Sequence, residues 1–132
     1  VLFRSSPLGY FAPNSNKYNI FCLYAIFSDD NRSLVEHLKI NNSFGDTTLI
    51  IYNPKEFIRR IEERCITRGL KHFCSRVQYF SEYNLPEKIS PFNKRDKYSH
   101  QKEVRLVIQN KSNNPIVLHI GSIEDIATII KM

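Results

Sequence analysis

The alternation of polar and apolar residues after Gln101 is the feature of this sequence that most constrains its fold. The residues at odd positions, Gln101, Glu103 and Arg105, are polar. The residues at even positions, Val104, Leu106 and Ile108, are apolar. Successive side chains of a β-strand point to opposite faces, so this spacing predicts a strand over residues 102–109. We expect the apolar set to enter the core and the polar set to line the other face.

Further apolar runs predict the remaining strands. They lie at residues 18–27, 47–52, 73–80, 116–120 and 127–131, with a short strand at 1–4. Turn-forming residues at 111–115 predict that the strands at 102–109 and 116–120 form a hairpin. Residues 81–97 are interpreted as a long loop, and a loop of this length in a small domain is usually functional or mobile.

One helix is predicted from the signals at its own ends. Asn53 is a capping residue, Pro54 fits the first helical position, and Glu56 is placed to complete a capping box. The helix is expected over 54–68, with one apolar face made by Phe57, Ile58, Ile61 and Cys65. Gly69 suits its C-terminal end.

A shorter helix is expected near residues 31–40, where Leu34, Val35 and Leu38 recur at helical spacing. About six mostly antiparallel strands with one main helix give an α+β fold. A length of 132 residues fits a single domain over residues 1–132. Because the sequence does not begin with Met, we expect that its natural N-terminus is missing.

The net charge indicates which partners to expect, and the cysteine content indicates the cellular compartment. The net charge of +6 favours anionic partners such as nucleic acid or a nucleotide. An odd number of cysteines, three, in no zinc or redox spacing predicts reduced thiols and a cytoplasmic protein. The sequence has no apolar run long enough to predict a transmembrane helix, so no membrane association is expected.

Most kinds of chemical site are disfavoured by the pattern of residues. The four histidines are not spaced as metal ligands, and no glycine-rich phosphate loop occurs, so no metal site is expected. A basic cluster over 94–105 suits nucleic-acid phosphate, but Phe92 and Tyr98 are its only aromatic residues. Nucleic acid therefore stays one of the partners considered.

Glu103 is the remaining candidate, and it has two interpretations. It can form an ion pair with Arg105, Arg76 or Lys94. It can also be a catalytic carboxylate, which stabilises an oxocarbenium-like transition state or orients a ribose hydroxyl.

Residues 75–131 resemble the C-terminal part of a large bacterial and phage domain family of unassigned activity. The resemblance rests on three elements: Val77-Gln78-Tyr79, then Phe92, Lys94, Tyr98, Glu103 and Arg105, and finally the stretch from Ile120 to Ile126. Members of that family often occur in prophages, plasmids and defence islands. The resemblance therefore implies a protein linked to a phage or mobile element.

The motif Gln101-Lys102-Glu103 also resembles the late glutamate motif of mono-ADP-ribosyltransferases, although the Ser-Thr-Ser element of that class is absent. The resemblance implies a cleft for NAD. Glu103 would be catalytic and Gln101 would position the acceptor. Arg4 would hold the NAD diphosphate, and Tyr24 and Tyr98 would be further cofactor contacts.

Two functions are therefore predicted from the sequence. The first is an ADP-ribosyltransferase-like enzyme that binds NAD or another anionic small molecule. The alternative is a non-catalytic basic module that binds nucleic acid or a protein in a defence or anti-defence system. A cleft that joins Arg4 to Glu103 favours the enzyme, and a flat surface on which Glu103 is paired with arginine favours the module.

Overall fold

The chain has an α+β fold, as predicted, in a computed structural model that describes residues 4–8 (backbone only), 17–110 and 114–132. Its described strands are β1 Arg4–Leu8, β2 Lys17–Tyr24, β3 Thr47–Ile51, β4 His72–Arg76, β5 Gln78–Phe80, β6 Asn93–Arg95, β7 Glu103–Asn110 and β8 Ala127–Lys131. Its α-helices are α1 Leu34–Ile40 and α2 Pro54–Thr67, with 3-10 turns at Asn42–Phe44 and Asp96–Gln101.

The four-stranded sheet in the order β1-β2-β7-β4 is the centre of the fold, and all its pairs are antiparallel. Strands β3 and β8 form a second antiparallel pair, while β5 and β6 form a short parallel one. In the register of β2 and β7, Tyr24 lies opposite Glu103, and Cys22 lies opposite Arg105. The predicted preference for antiparallel pairing is confirmed.

The main cluster of buried apolar residues lies on one face of this sheet. The α2 residues Phe57, Ile61 and Cys65 are buried there against Leu106, Ile108 and Ile126. The predicted apolar face of α2 and the inward position of Leu106 and Ile108 are therefore confirmed. By strand alternation, Glu103 and Arg105 lie on the opposite face of β7.

The predicted hairpin between residues 102–109 and 116–120 is wrong. Strand β7 already pairs with β2 along one edge and with β4 along the other, and a strand has only two edges. Residues 116–120 instead form a segment outside the sheets, with no regular secondary structure. Their apolar side chains Ile116, Leu118 and Ile120 pack against the core.

The predicted strand at 73–80 is divided at Val77. The Val77 amide donates to the Glu103 carbonyl at 2.9 Å, which ends the pairing of β4 with β7. The next amide, that of Gln78, donates to the Phe92 carbonyl at 2.7 Å, and the chain continues as β5 beside β6. Residues 78–102, here called the covering segment, therefore contain local structure where a long loop was predicted over 81–97.

Both ends of α2 form as predicted, except for the capping box. The Asn53 side chain accepts from the Glu56 amide at 3.2 Å. Gly69, with φ of +65°, follows the helix, and the amides of Gly69 and Leu70 close a Schellman motif on the carbonyls of Ile66 and Cys65. The Glu56 carboxylate instead accepts hydrogen bonds from two arginine side chains, those of Arg59 and Arg60.

Asn53→Ala is expected to lower the free energy of unfolding by about 1 kcal/mol, because the Glu56 amide would lose its acceptor at the helix N-terminus. Chemical denaturation of the wild type and the variant measures this loss. Asn53→Ser retains a capping oxygen and is the matched control, so its loss should be smaller. An unchanged stability for Asn53→Ala would show that the cap contributes nothing in solution.

Candidate functional site

The site is organised around Glu103, the first residue of β7. Glu103 is only 8 % exposed, and both of its carboxylate oxygens accept hydrogen bonds from cations. Oε1 accepts from Lys94 Nζ at 2.5 Å, and Oε2 accepts from Arg105 Nε at 2.8 Å. Glu103 is therefore held by one lysine and one arginine, both of which were among the ion-pair partners considered from the sequence.

Local geometry explains why these three side chains meet. Arg105 lies two residues after Glu103 on the same face of the strand. Its guanidinium also donates from Nη1 to the Pro91 carbonyl at 2.7 Å. Lys94 is the central residue of β6, so both contacts attach the covering segment to the polar face of the sheet.

Gln101 does not share a strand with Glu103, so that part of the sequence prediction is wrong. It is the last residue of the 3-10 turn Asp96–Gln101, and the next residue, Lys102, adopts a left-handed conformation with φ of +41°. Side-chain alternation therefore does not extend back to Gln101. The bend nevertheless brings the Gln101 Oε1 to Lys94 Nζ, the same ammonium that contacts Glu103.

Burial and the neighbouring positive charges shift the pKa of Glu103 in opposite directions. Burial by itself would raise the pKa of this carboxyl, but hydrogen bonds from Lys94 and Arg105 outweigh it and hold the pKa below its ordinary value of 4.5. Burial raises the pKa of the neighbouring Cys22 thiol to about 11, with the Glu103 charge as a further cause. Glu103 is therefore ionised at neutral pH, and the Cys22 thiol is protonated.

The lowered pKa of Glu103 predicts a pH-dependent stability. A carboxyl whose pKa is lower in the folded state stabilises the fold above its unfolded pKa, and this contribution is lost as pH falls through the folded pKa. The difference in unfolding free energy between wild type and Glu103→Gln should be constant above about pH 5 and should shrink below it. Urea denaturation across this range measures the difference. A constant difference down to about pH 2.5 would contradict the lowered pKa.

Three of the predicted site residues meet at one small cavity. Tyr24, Gln101 and Glu103 line it together with Cys22. Its volume is about 30 Å³, which is roughly the space of one water molecule. The cavity is therefore far smaller than a nicotinamide ring requires.

Tyr98, a fourth predicted site residue, is not among the residues that line this cavity. Tyr98 is 37 % exposed, and its ring centroid lies 4.9 Å from Lys94 Nζ and 5.0 Å from Lys97 Nζ. The Arg4 side chain lies outside the described residues. The backbone places Arg4 opposite Cys22 on the strand next to β2.

Sequence reasoning missed a buried polar cluster around His37. Leu34 and Val35, two of the residues whose helical spacing predicted α1, are exposed, whereas His37 is buried. Tyr24 Oη lies 2.7 Å from His37 Nδ1. The Ser33–Glu36 capping box was a usable signal for the start of α1, but no sequence signal indicated that the helix would bury its histidine.

Comparisons of the chain with models of protein families, with curated proteins and with solved structures found no match. The two resemblances drawn from the sequence therefore stay predictions. Among the described residues, no group of three or more His, Cys, Asp or Glu side chains is arranged to hold a metal ion. No helix within the described ranges has the length and apolar character of a membrane span.

Proposed function

We propose that this chain is a non-catalytic binding module for an anionic partner, and that single-stranded nucleic acid is the partner class its surface suits best. The observation that supports the proposal is that Glu103 forms ion pairs with both Lys94 and Arg105. A carboxylate that is paired with two cations has much of its negative charge neutralised, so it has little left to stabilise a positive charge on a substrate. The cavity that Glu103 lines has a volume of about 30 Å³.

The proposed binding surface is the exposed end of the covering segment. Residues 95–100 are all exposed, and the Tyr98 ring lies near the ammonium groups of Lys94 and Lys97. Single-stranded nucleic acids bind surfaces that combine aromatic rings for base stacking with cations for phosphate. The net charge of +6 adds a long-range attraction to the same class of partner.

Under this proposal Glu103 has a structural task. It neutralises the two cations that attach the covering segment to the sheet, and so it fixes Lys94 near Tyr98. Glu103→Gln should therefore lower stability, but it should not weaken the affinity for an oligonucleotide, because it removes a negative charge beside the proposed surface.

Tyr98→Ala is expected to weaken binding of a fluorescein-labelled oligothymidylate about 5- to 150-fold, the range of one lost base-stacking contact of about 1–3 kcal/mol. Lys97→Ala should make the salt dependence of binding less steep, by about 0.7 in the slope of log K against log salt concentration. Fluorescence anisotropy at several salt concentrations measures both effects.

Lys39→Ala removes an exposed cation from α1 and is the charge-matched control for Lys97→Ala. It should bind the oligonucleotide as the wild type does. If the wild type does not bind the oligonucleotide at low salt, or if Tyr98→Ala and Lys39→Ala bind equally well, the proposed surface is wrong.

An ADP-ribosyltransferase-like activity is the second candidate, favoured by one observation. Tyr24, Gln101 and Glu103, three residues that the resemblance implies, line the same cavity. In this hypothesis Lys94 leaves Glu103 when NAD binds, Glu103 stabilises the oxocarbenium at the ribose carbon, and Arg4 holds the diphosphate. The charge of Glu103 would then be essential for the reaction.

Nicotinamide release from NAD by the full chain tests this second candidate. The activity should be present in the wild type and abolished in Glu103→Gln, with thermal melting showing that the variant is folded. Absence of NAD binding by the wild type would end the transferase hypothesis and leave the binding module standing.

A further inference from the structure

The outer edge of β8 is an exposed strand edge. Strands β3 and β8 pair only with each other, so among the described residues no third strand lies beside β8. Thr128, Ile129 and Lys131 are exposed, and the exposed fraction of Ile129 is 68 %. An open strand edge presents unpaired backbone donors and acceptors, which makes it a template for a further strand.

The hydrogen bonds at the two ends of β8 show which of its backbone groups point outward. The Tyr52 amide donates to the Ile126 carbonyl at 3.0 Å, and the Met132 amide donates to the Asp46 carbonyl at 2.8 Å. Both bonds continue the register of β3 with β8. Because the direction of the backbone groups alternates along an antiparallel strand, the even-numbered residues of β8 face β3. The N–H and C=O groups of residues 127, 129 and 131 therefore point toward the open edge.

A second copy of β8 fits this edge when it runs antiparallel about a two-fold axis at Ile129. Ile129 then lies opposite the same residue of the second copy, and Ala127 lies opposite Lys131. All the outward-facing residues of both strands meet in this register, and each pair exchanges two backbone hydrogen bonds. Any other offset leaves at least one of these residues without a partner. The edge is therefore complementary to itself.

The side chains also favour the pairing of two β8 strands. The exposed Ile129 would pack beside its counterpart, and cross-strand pairs of this kind stabilise antiparallel ladders. Lys131 is the one charged residue of β8, and it would lie opposite a small uncharged residue, so no like charges meet. The open edge of β4 is less suitable, because a second β4 centred on Cys74 would bring two basic residues, His72 and Arg76, together.

We infer that β8 forms an antiparallel ladder with β8 of a second copy of this chain, which joins the two-stranded sheets of both copies into one sheet about a two-fold axis. A sheet of two strands is marginally stable and gains from further strands. The contact is small, so the dimer is weak and forms at high protein concentration. This inference concerns different residues from the Tyr98 surface and does not rest on nucleic-acid binding.

Sedimentation equilibrium of the full chain, at concentrations up to about 1 mM, tests the inference. Salt at about 0.5 M screens the repulsion between two copies that each carry a net charge of +6. The wild type should form a reversible dimer. Ile129→Pro should stay monomeric, because proline removes an outward-facing N–H and leaves the hydrogen bonds to β3 in place. Ile129→Val keeps the amide and the branched side chain, so this matched control should still dimerise.

Amide hydrogen exchange of the wild type gives a second readout, which needs no variant to fold. As the protein concentration rises, the amides of residues 127, 129 and 131 should exchange several-fold more slowly. The amides of Thr128 and Ile130 face β3, so their exchange should not change. A wild type that stays monomeric, a dimer that persists in Ile129→Pro, or a dimer in which the odd-numbered amides exchange as fast as in the monomer would overturn the inference.

Discussion

Glu103→Ala is expected to lower the free energy of unfolding by about 3–5 kcal/mol, the cost of leaving a buried charge without its partner. The side chains of Glu103 and Arg105 are 9 % and 8 % exposed, so solvent cannot replace the lost carboxylate for Arg105. The Arg105 Nε donor and the Lys94 ammonium would both lose an acceptor. Urea denaturation at pH 7 measures the loss.

Glu82→Ala is the matched control for this prediction. It also removes a glutamate from an ion pair, but Glu82 and its partner Arg95 are both more than half exposed. An exposed pair contributes at most about 1 kcal/mol, so this variant should be nearly as stable as the wild type. Equal effects of the two substitutions would show that burial does not strengthen the Glu103 pairs.

Phe57→Ala should also cost about 3–5 kcal/mol, because truncating a buried phenylalanine removes apolar contacts and leaves a void. Phe57 is 3 % exposed and packs with the core residues of α2 and β7, and its ring lies 6.5 Å from that of Phe21. Chemical denaturation gives the loss.

The same helix provides a control for Phe57→Ala. Ile66 is 71 % exposed, and Ile66→Ala should change stability by no more than about 0.5 kcal/mol. Phe57 lines two of the cavities of the structure, so its neighbours have room to move. A small loss of unfolding free energy for Phe57→Ala would mean that these neighbours fill the space that the ring leaves.

Local signals were sufficient to predict the main helix and several strands. Asn53, Pro54 and Gly69 act on backbone groups only a few residues away, so the ends of α2 were predictable to within one residue. The strand after Lys102 was predictable because alternation is a property of neighbouring residues. The class of the fold followed from these elements.

Nonlocal pairing was not predictable from the same signals. Residues 116–120 have the composition of a strand, yet whether they pair depends on the edges of β7, which are taken by β2 and β4. A continuous strand was predicted through Val77, because the parallel pairing of β5 with β6 has no sequence signature of its own.

The candidate site was predicted only in part for a related reason. Arg105 and Lys94 were among the partners considered for Glu103, since one is two residues away and the other belongs to the nearby basic cluster. The burial of His37 depends on where α1 packs against Tyr24. The helical spacing of the apolar residues in α1 does not determine that position.

The two ends of the covering segment meet at a single residue. The amide of Val77, just before the segment, donates to the Glu103 carbonyl, and the Glu103 amide donates to the hydroxyl of Tyr79. The chain therefore leaves the central sheet and returns to it at the same place, as in a domain insertion. Because the segment leaves and re-enters the sheet at neighbouring positions of β4 and β7, we expect that a segment of different length can join Val77 to Glu103 with the pairing of these strands retained, provided that it supplies partners for Glu103 and Arg105.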